Sequence, residues 1–168
     1  MSPDSISRRG LLGSVAAAVV AGAAGLSLMG RSESAEAAER FEVTKTPAEW
    51  RRILGPQRYA VLREANTERA GTSPLNNEHR KGTFLCAGCD LPLYSSAAKF
   101  ESGTGWPSFT RPLPNAVRTR DDRSFLVLRT EVHCRRCGGH LGHVFDDGPP
   151  PLGKRFCMNG LALKFRPA

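Results

Sequence analysis

Residues 132–148 read VHCRRCGGHLGHVFDDG, and the rest of the chain is best read outward from them. Cys134-Arg135-Arg136-Cys137 is a C-x₂-C knuckle followed by the flexible pair Gly138-Gly139. A counterpart lies upstream, Cys86-Ala87-Gly88-Cys89, followed by Asp90, with 44 residues between the two pairs. A tight turn aims two thiolates at one point, and two such turns make a tetrahedral four-sulfur site. That geometry suits Zn²⁺ and leaves no coordination position free for chemistry, so the expected role is structural. Two other uses of four cysteines remain open on the residues alone. One is a disulfide within each knuckle, strained and redox-active, in an oxidising compartment. The other is an iron site with four sulfurs.

Around the knuckles the chain is dense in turn signals: Gly71, Ser73-Pro74, Asn76-Asn77, Gly82, Pro92, Gly103, Gly105, Pro112, Pro114-Asn115 and Asp121-Asp122. Between them lie short β-like runs at 83–86, 116–120, 124–132, 143–145 and 160–165. Before them, Thr46-Pro47-Ala48-Glu49 is a capping box with proline at the first helical position. Trp50, Ile53 and Leu54 follow at helical spacing, and Gly55-Pro56 ends one helix and starts a second that runs to about Glu64. The expectation is a small, mainly β, mostly antiparallel domain behind a pair of short N-terminal helices. Apart from the two knuckles there is no internal repeat.

The chain has 168 residues, 40% of them hydrophobic, which is enough for one core. Its net charge is +8. The basic residues are dispersed and mixed with acids, without a Lys/Arg run or alternating aromatics, so the charge reads as solvated surface and no nucleic-acid partner is expected. Residues 1–37 read as a targeting segment. Arg8-Arg9 precedes an uncharged stretch from Gly10 to Gly30, and Ser34-Ala35-Glu36-Ala37 offers an A-x-A cleavage site. Ser7-Arg8-Arg9-Gly10-Leu11-Leu12 resembles the twin-arginine export signal, which carries proteins that fold before crossing the membrane. The competing reading is an uncleaved membrane anchor. Either way the globular part is expected outside the cytoplasm, in a periplasmic or other extracytoplasmic space. Loss of 1–37 removes three basic residues (Arg8, Arg9, Arg31) and three acidic ones (Asp4, Glu33, Glu36), so the mature part keeps +8. Residues 38–45 read as a linker and 46–168 as the domain. After cleavage no stable membrane insertion is expected, and no amphipathic stripe asks for a second copy, so a monomer is expected.

The fifth cysteine stands apart, in Arg155-Phe156-Cys157-Met158-Asn159. On a strand, Arg155, Cys157 and Asn159 share one face and Phe156 and Met158 the other. That is an electropositive, hydrogen-bonding setting of the kind that favours a thiolate. Two more features stand out. Ser102-Gly103-Thr104-Gly105-Trp106-Pro107 presents a tryptophan on a glycine-proline turn, and His140 and His143 lie three apart after the second knuckle. Taken one at a time these residues have bland readings as core or surface.

Taken together, KGTFLCAGC, KFESGTGWPSF, RTEVHCRRCGGHLGHVFDDGP and RFCMNGLALKF resemble the methionine-R-sulfoxide reductases, the MsrB family, in its order and spacing over about residues 46–166. The resemblance implies two antiparallel sheets around a pocket, stapled by zinc on Cys86, Cys89, Cys134 and Cys137. It implies that Cys157 attacks the sulfoxide sulfur of oxidised methionine and becomes a sulfenic acid. His143, with His140 positioning, would donate the proton. Trp106 would pack on the substrate's S-methyl group, and Asn159, Arg155 and Phe145 would line the pocket. Many relatives carry a second, resolving cysteine, in one case between the two glycines before Trp-Pro, where this chain has Thr104. The resemblance is therefore to a one-cysteine member, regenerated by an external thioredoxin-like or small-thiol reductant, with oxidised proteins as substrate. Two other classes compete: a non-catalytic zinc-knuckle binding module, and a thiol oxidoreductase using the C-x-x-C pairs themselves.

Overall fold

The computed structural model describes residues 39–124 and 127–168. The targeting segment expected at 1–37 lies outside the described residues. Among the described residues no helix is long and apolar enough to cross a membrane.

Helix α1 spans Pro47–Glu64. Its start is the expected capping box: Thr46 Oγ1 accepts from the Glu49 amide at 3.3 Å, and the Thr46 amide donates to Glu49 Oε2 at 2.8 Å. Gly55 adopts φ 69° and ψ 172°, so the run is two helical segments joined at a kink, as Gly55-Pro56 implied. Trp50, Leu54, Tyr59, Val61 and Leu62 face the core.

Among the described residues nine strands follow: β1 (Gly82–Cys86), β2 (Pro92–Ser95), β3 (Lys99–Phe100), β4 (Ser108–Phe109), β5 (Val117–Asp122), β6 (Arg129–Cys134), β7 (His140–Phe145), β8 (Arg155–Met158) and β9 (Leu163–Pro167). They form a three-stranded sheet ordered β2-β1-β9 and a six-stranded sheet ordered β3-β4-β8-β7-β6-β5. Every pairing is antiparallel. The mainly β, two-sheet expectation therefore holds.

Aromatic rings join the sheets. Tyr94 of β2 stacks on Phe109 of β4 with centroids 4.3 Å apart, and Phe84 of β1 meets Phe109 edge-on at 4.9 Å. The fully buried Tyr94 hydroxyl donates to Met158 Sδ at 3.0 Å. Leu93, Val132, Leu141 and Met158 complete this dry layer.

The local reading failed where pairing overrode it. Asp121-Asp122 was expected to turn, yet both lie in β5, opposite Thr130 and Arg129. Pro92 opens β2, a position where a missing N–H does no harm. The run expected as a strand at 124–132 becomes β6 only from Arg129. The run at 160–165 begins as a 3₁₀ turn, Gly160–Ala162, before β9. Glu68 explains that turn: its carboxylate accepts from the Gly160 and Leu161 amides and so draws them away from a ladder.

Residues 39–43, within the stretch expected as a linker, pack on the six-stranded sheet. Glu39 bonds Arg118 at 2.6 Å and His133 Nε2 at 3.0 Å, Phe41 meets His133 edge-on, and the Val43 amide donates to the Arg136 carbonyl.

Candidate active site

The two knuckles converge where β1 and β6 end. In each, the amide four residues on closes the turn: Asp90 N–H donates to the Cys86 carbonyl and Gly138 N–H to the Cys134 carbonyl, both at 2.9 Å. Asp90 and Gly138 both have left-handed backbones, φ 58° and 67°. All four sulfurs lie within 4.8 Å of one another. Cys86 and Cys137 are 3.7 Å apart, and Cys89 and Cys134 3.5 Å. A tetrahedron with Zn–S bonds of about 2.3 Å has sulfurs about 3.8 Å apart, so the residues fit a four-coordinate zinc and leave no open position. Among the described residues no cysteine pair is a disulfide. Hydrogen bonding to Cys134 and the other sulfurs, with burial, pushes the Cys86 thiol well above its ordinary value. A dication among the sulfurs reverses that preference.

Cys157 lies elsewhere, on β8, half-buried and paired with His143 of β7 and Ser108 of β4. The β7–β8 approach is close because residue 142 is glycine: a Cβ there would meet the Cys157 carbonyl oxygen at 2.1 Å. Cys157 opens into a pocket of about 130 Å³, walled by Trp106, His143, Phe145 and Asn159 and also by Thr67 and Arg129. The expected strand alternation holds, since Met158 and Phe156 face Tyr94 in the core.

The expected site residues divide into those in the pocket and those behind it. Trp106 is anchored by its indole N–H, which donates to the Glu68 carbonyl at 3.1 Å. Asn159 is buried and committed to the backbone: its Oδ1 accepts from the Glu68 amide at 2.9 Å and its Nδ2 donates to the Leu141 carbonyl at 3.2 Å. Arg155 does not line the pocket. It forms a two-point pair with Asp147, at 2.8 and 2.7 Å, and lies over the Phe145 ring at 4.5 Å. The Asp147 pair, together with the Cys157 sulfur, pushes its guanidinium above the ordinary value. His140 also sits behind the pocket, its ring 5.4 Å from that of His143.

Both histidines are held by carboxylates that the sequence reading did not single out. His143 Nε2 lies 2.7 Å from Asp122 Oδ2, and His140 Nδ1 lies 2.7 Å from Glu131 Oε1. Hydrogen bonds from Ser124, His143 and Arg129 hold the Asp122 carboxyl well below its usual range. Burial pushes Glu131 up, but bonds from His140 and Arg120 outweigh it and hold the carboxyl at about 2. Both acids are thus ionised acceptors near neutral pH. They assign an N–H to His143 Nε2 and to His140 Nδ1, which leaves His143 Nδ1 for the pocket. His140 Nε2 is buried without a partner among the described residues. Burial lowers the His143 pKa, against the opposing bond from Asp122.

Thr104 approaches the sulfur from the other side. Its hydroxyl is 3.8 Å from Cys157 Sγ and 2.9 Å from Ser102 Oγ, which in turn is 2.7 Å from Ser108 Oγ. The left-handed glycines at 103 and 105, φ 72° and 95°, shape the turn that places it there. Glu68, Asp122 and Glu131 were illegible beforehand, because each reaches its partner across strands or from a loop. Antiparallel register is the one signal that hints at such pairs, and it is set by the fold.

The SelR domain family matches residues 54–167. The peptide methionine sulfoxide reductase MsrB of Thiobacillus denitrificans is 53% identical over 124 residues, 73% of this chain and 94% of the relative. The protein of the same name from Agrobacterium fabrum is 50% identical over 127 residues, 75% of this chain and 94% of the relative. That from Methanosarcina barkeri is 49% identical over 125 residues, 74% of this chain and 88% of the relative. With a pocketed cysteine, a tryptophan wall and a four-sulfur cluster in one mainly β domain, the chain belongs to the SelR family of peptide methionine sulfoxide reductases, the MsrB enzymes.

Proposed function

We propose that the protein reduces the R epimer of methionine sulfoxide, within oxidised proteins, through a sulfenic acid on Cys157. The observation that carries this reading is the placement of Cys157 Sγ in a small pocket beside His143 and the Trp106 indole. The Cys157 thiolate attacks the sulfoxide sulfur. His143 supplies a proton to the oxygen as the S–O bond breaks, and Asp122 keeps the imidazole oriented for it. The oxygen ends on Cys157 as S–OH, so the methionine sulfur is reduced by two electrons and the cysteine sulfur oxidised by two. Trp106 packs on the S-methyl group, and Asn159 and Arg155 hold the strand and the Phe145 wall in place.

Thr104 occupies the position of a resolving cysteine, and the other four cysteines form the cluster, so regeneration falls to an external thiol. One thiol condenses with the S–OH, releasing water and leaving a mixed disulfide. A second thiol frees Cys157. A thioredoxin-like protein or a small thiol supplies both. The four-sulfur cluster holds Zn²⁺, which contributes stability and no chemistry. The N-terminal segment directs the folded protein out of the cytoplasm.

Purified protein with dithiothreitol should turn over the R epimer alone. Turnover of only the S epimer, or of neither, would refute the reading. Mass spectrometry after one turnover without reductant should find one added oxygen at residue 157.

A further inference from the structure

A second cavity adjoins the pocket, a groove of about 780 Å³ between α1, the loop 66–75 and the 3₁₀ turn before β9. Thr67 lines both cavities; Asn159 lines the pocket and the next residue, Gly160, lines the groove. The two spaces therefore share a wall. Their sizes differ in kind. At about 130 Å³ the pocket is far below the roughly 300–1,000 Å³ of most small-molecule sites, so it takes the end of one side chain. The main chain of a protein substrate must lie outside it, and the groove is the adjoining space of suitable size.

The charges in the groove are one-sided. Arg58 and Arg69 line it, and among the described residues neither guanidinium has a hydrogen bond, ion pair or ring contact. Lys164 lines it too, bonded to Asp90 at 2.8 Å. The one carboxylate in its walls, Glu68, is buried and already accepts from two amides. Leu75 and Leu161 supply apolar floor. Resting on the reductase reading above, we propose that this groove binds the polypeptide flanking the oxidised methionine and selects acidic segments through Arg58 and Arg69.

The test uses peptides of one sequence carrying methionine-R-sulfoxide, flanked by aspartates or by lysines, with N-acetyl-methionine-R-sulfoxide as the small substrate and dithiothreitol as reductant. The Arg58→Glu/Arg69→Glu variant should raise KM for the aspartate peptide about three- to tenfold at low salt, with kcat and the small-substrate KM unchanged. A control with the same change of net charge at exposed sites outside the groove, Lys45→Glu/Arg111→Glu, should move it less than about twofold. If charge reversal lowers Tm, Arg58→Gln/Arg69→Gln should give the same direction of effect. Equal shifts in the groove and control variants would overturn the proposal, as would an unchanged peptide KM accompanied by a raised KM for a thioredoxin-like reductant. Failure of the unaltered protein on N-acetyl-methionine-R-sulfoxide would instead bring down the reductase reading itself.

Discussion

The sulfur cluster at the junction of β1 and β6 and the single sulfur on β8 place the same atom in opposite surroundings. At the junction four sulfurs lie within 4.8 Å of one another, three of them in buried residues. On β8 one sulfur faces a pocket, with a hydroxyl at 3.8 Å and an imidazole on the paired strand. The closed set suits a cation and excludes substrate. The open one faces free volume, and among the described residues the other four cysteines all belong to the cluster. What separates a structural from a reactive cysteine here is the number of sulfurs within reach and the presence of free volume in front of them.

Breaking the closed set should have the largest effect. Removal of zinc by a chelator, or Cys134→Ser, should abolish cooperative unfolding, since structural zinc contributes on the order of 10 kcal/mol against a domain stability of similar size. Thermal melts with and without chelator check this; an unchanged melt would mean the cluster is ornamental. Breaking the open site should do the reverse. Cys157→Ser should lower turnover by about 10⁴-fold or more while zinc content and Tm stay as before. A variant that also loses zinc would erase the distinction between the two regions.

Asp122→Asn sharpens the comparison by testing what holds the proton donor. The Asp122 bond raises the His143 pKa against burial, so its loss lowers that pKa further. The proposed reaction needs the acid form, so the limb of kcat that falls with rising pH should move to lower pH. Turnover near neutrality should drop about ten- to a hundredfold. A lower kcat with the limb unmoved would reduce Asp122 to a structural tie. The smallest effect concerns Thr104. With its hydroxyl 3.8 Å from Cys157 Sγ, Thr104→Cys should bring a second thiol within reach and convert the sulfenic acid to an internal disulfide with loss of water. After one turnover without reductant that variant should lack the added oxygen expected on the unaltered chain, with kcat under dithiothreitol changed only a few-fold, on the order of 1 kcal/mol or less.

Much of this was legible from local chemistry. The helix start at Thr46, the kink at Gly55, both knuckles and the alternation around Cys157 depend on residues within a few positions of one another. Local rules misjudged Asp121-Asp122, where β6 captured a sequence that would otherwise turn, and the 160–165 run, where Glu68 captured the first amides. Arg155 shows the limit in the site itself. Its strand face was foreseen, but its commitment to Asp147 over the Phe145 ring was not.

The order of residues by itself determined the class of chemistry: four thiols in paired turns for a metal, and one thiol left over beside arginine and asparagine. A Cys-x-x-Cys spacing lets one tight turn aim both thiols at a single point. Only the tertiary structure decided which carboxylate bonds each histidine, that Thr104 meets the Cys157 sulfur, and that Arg58 and Arg69 line one groove sharing Thr67 with the pocket. The side-chain bonds among those relations join residues from 9 to 53 positions apart, and strand register and sheet packing set them, forces that no short window of sequence contains.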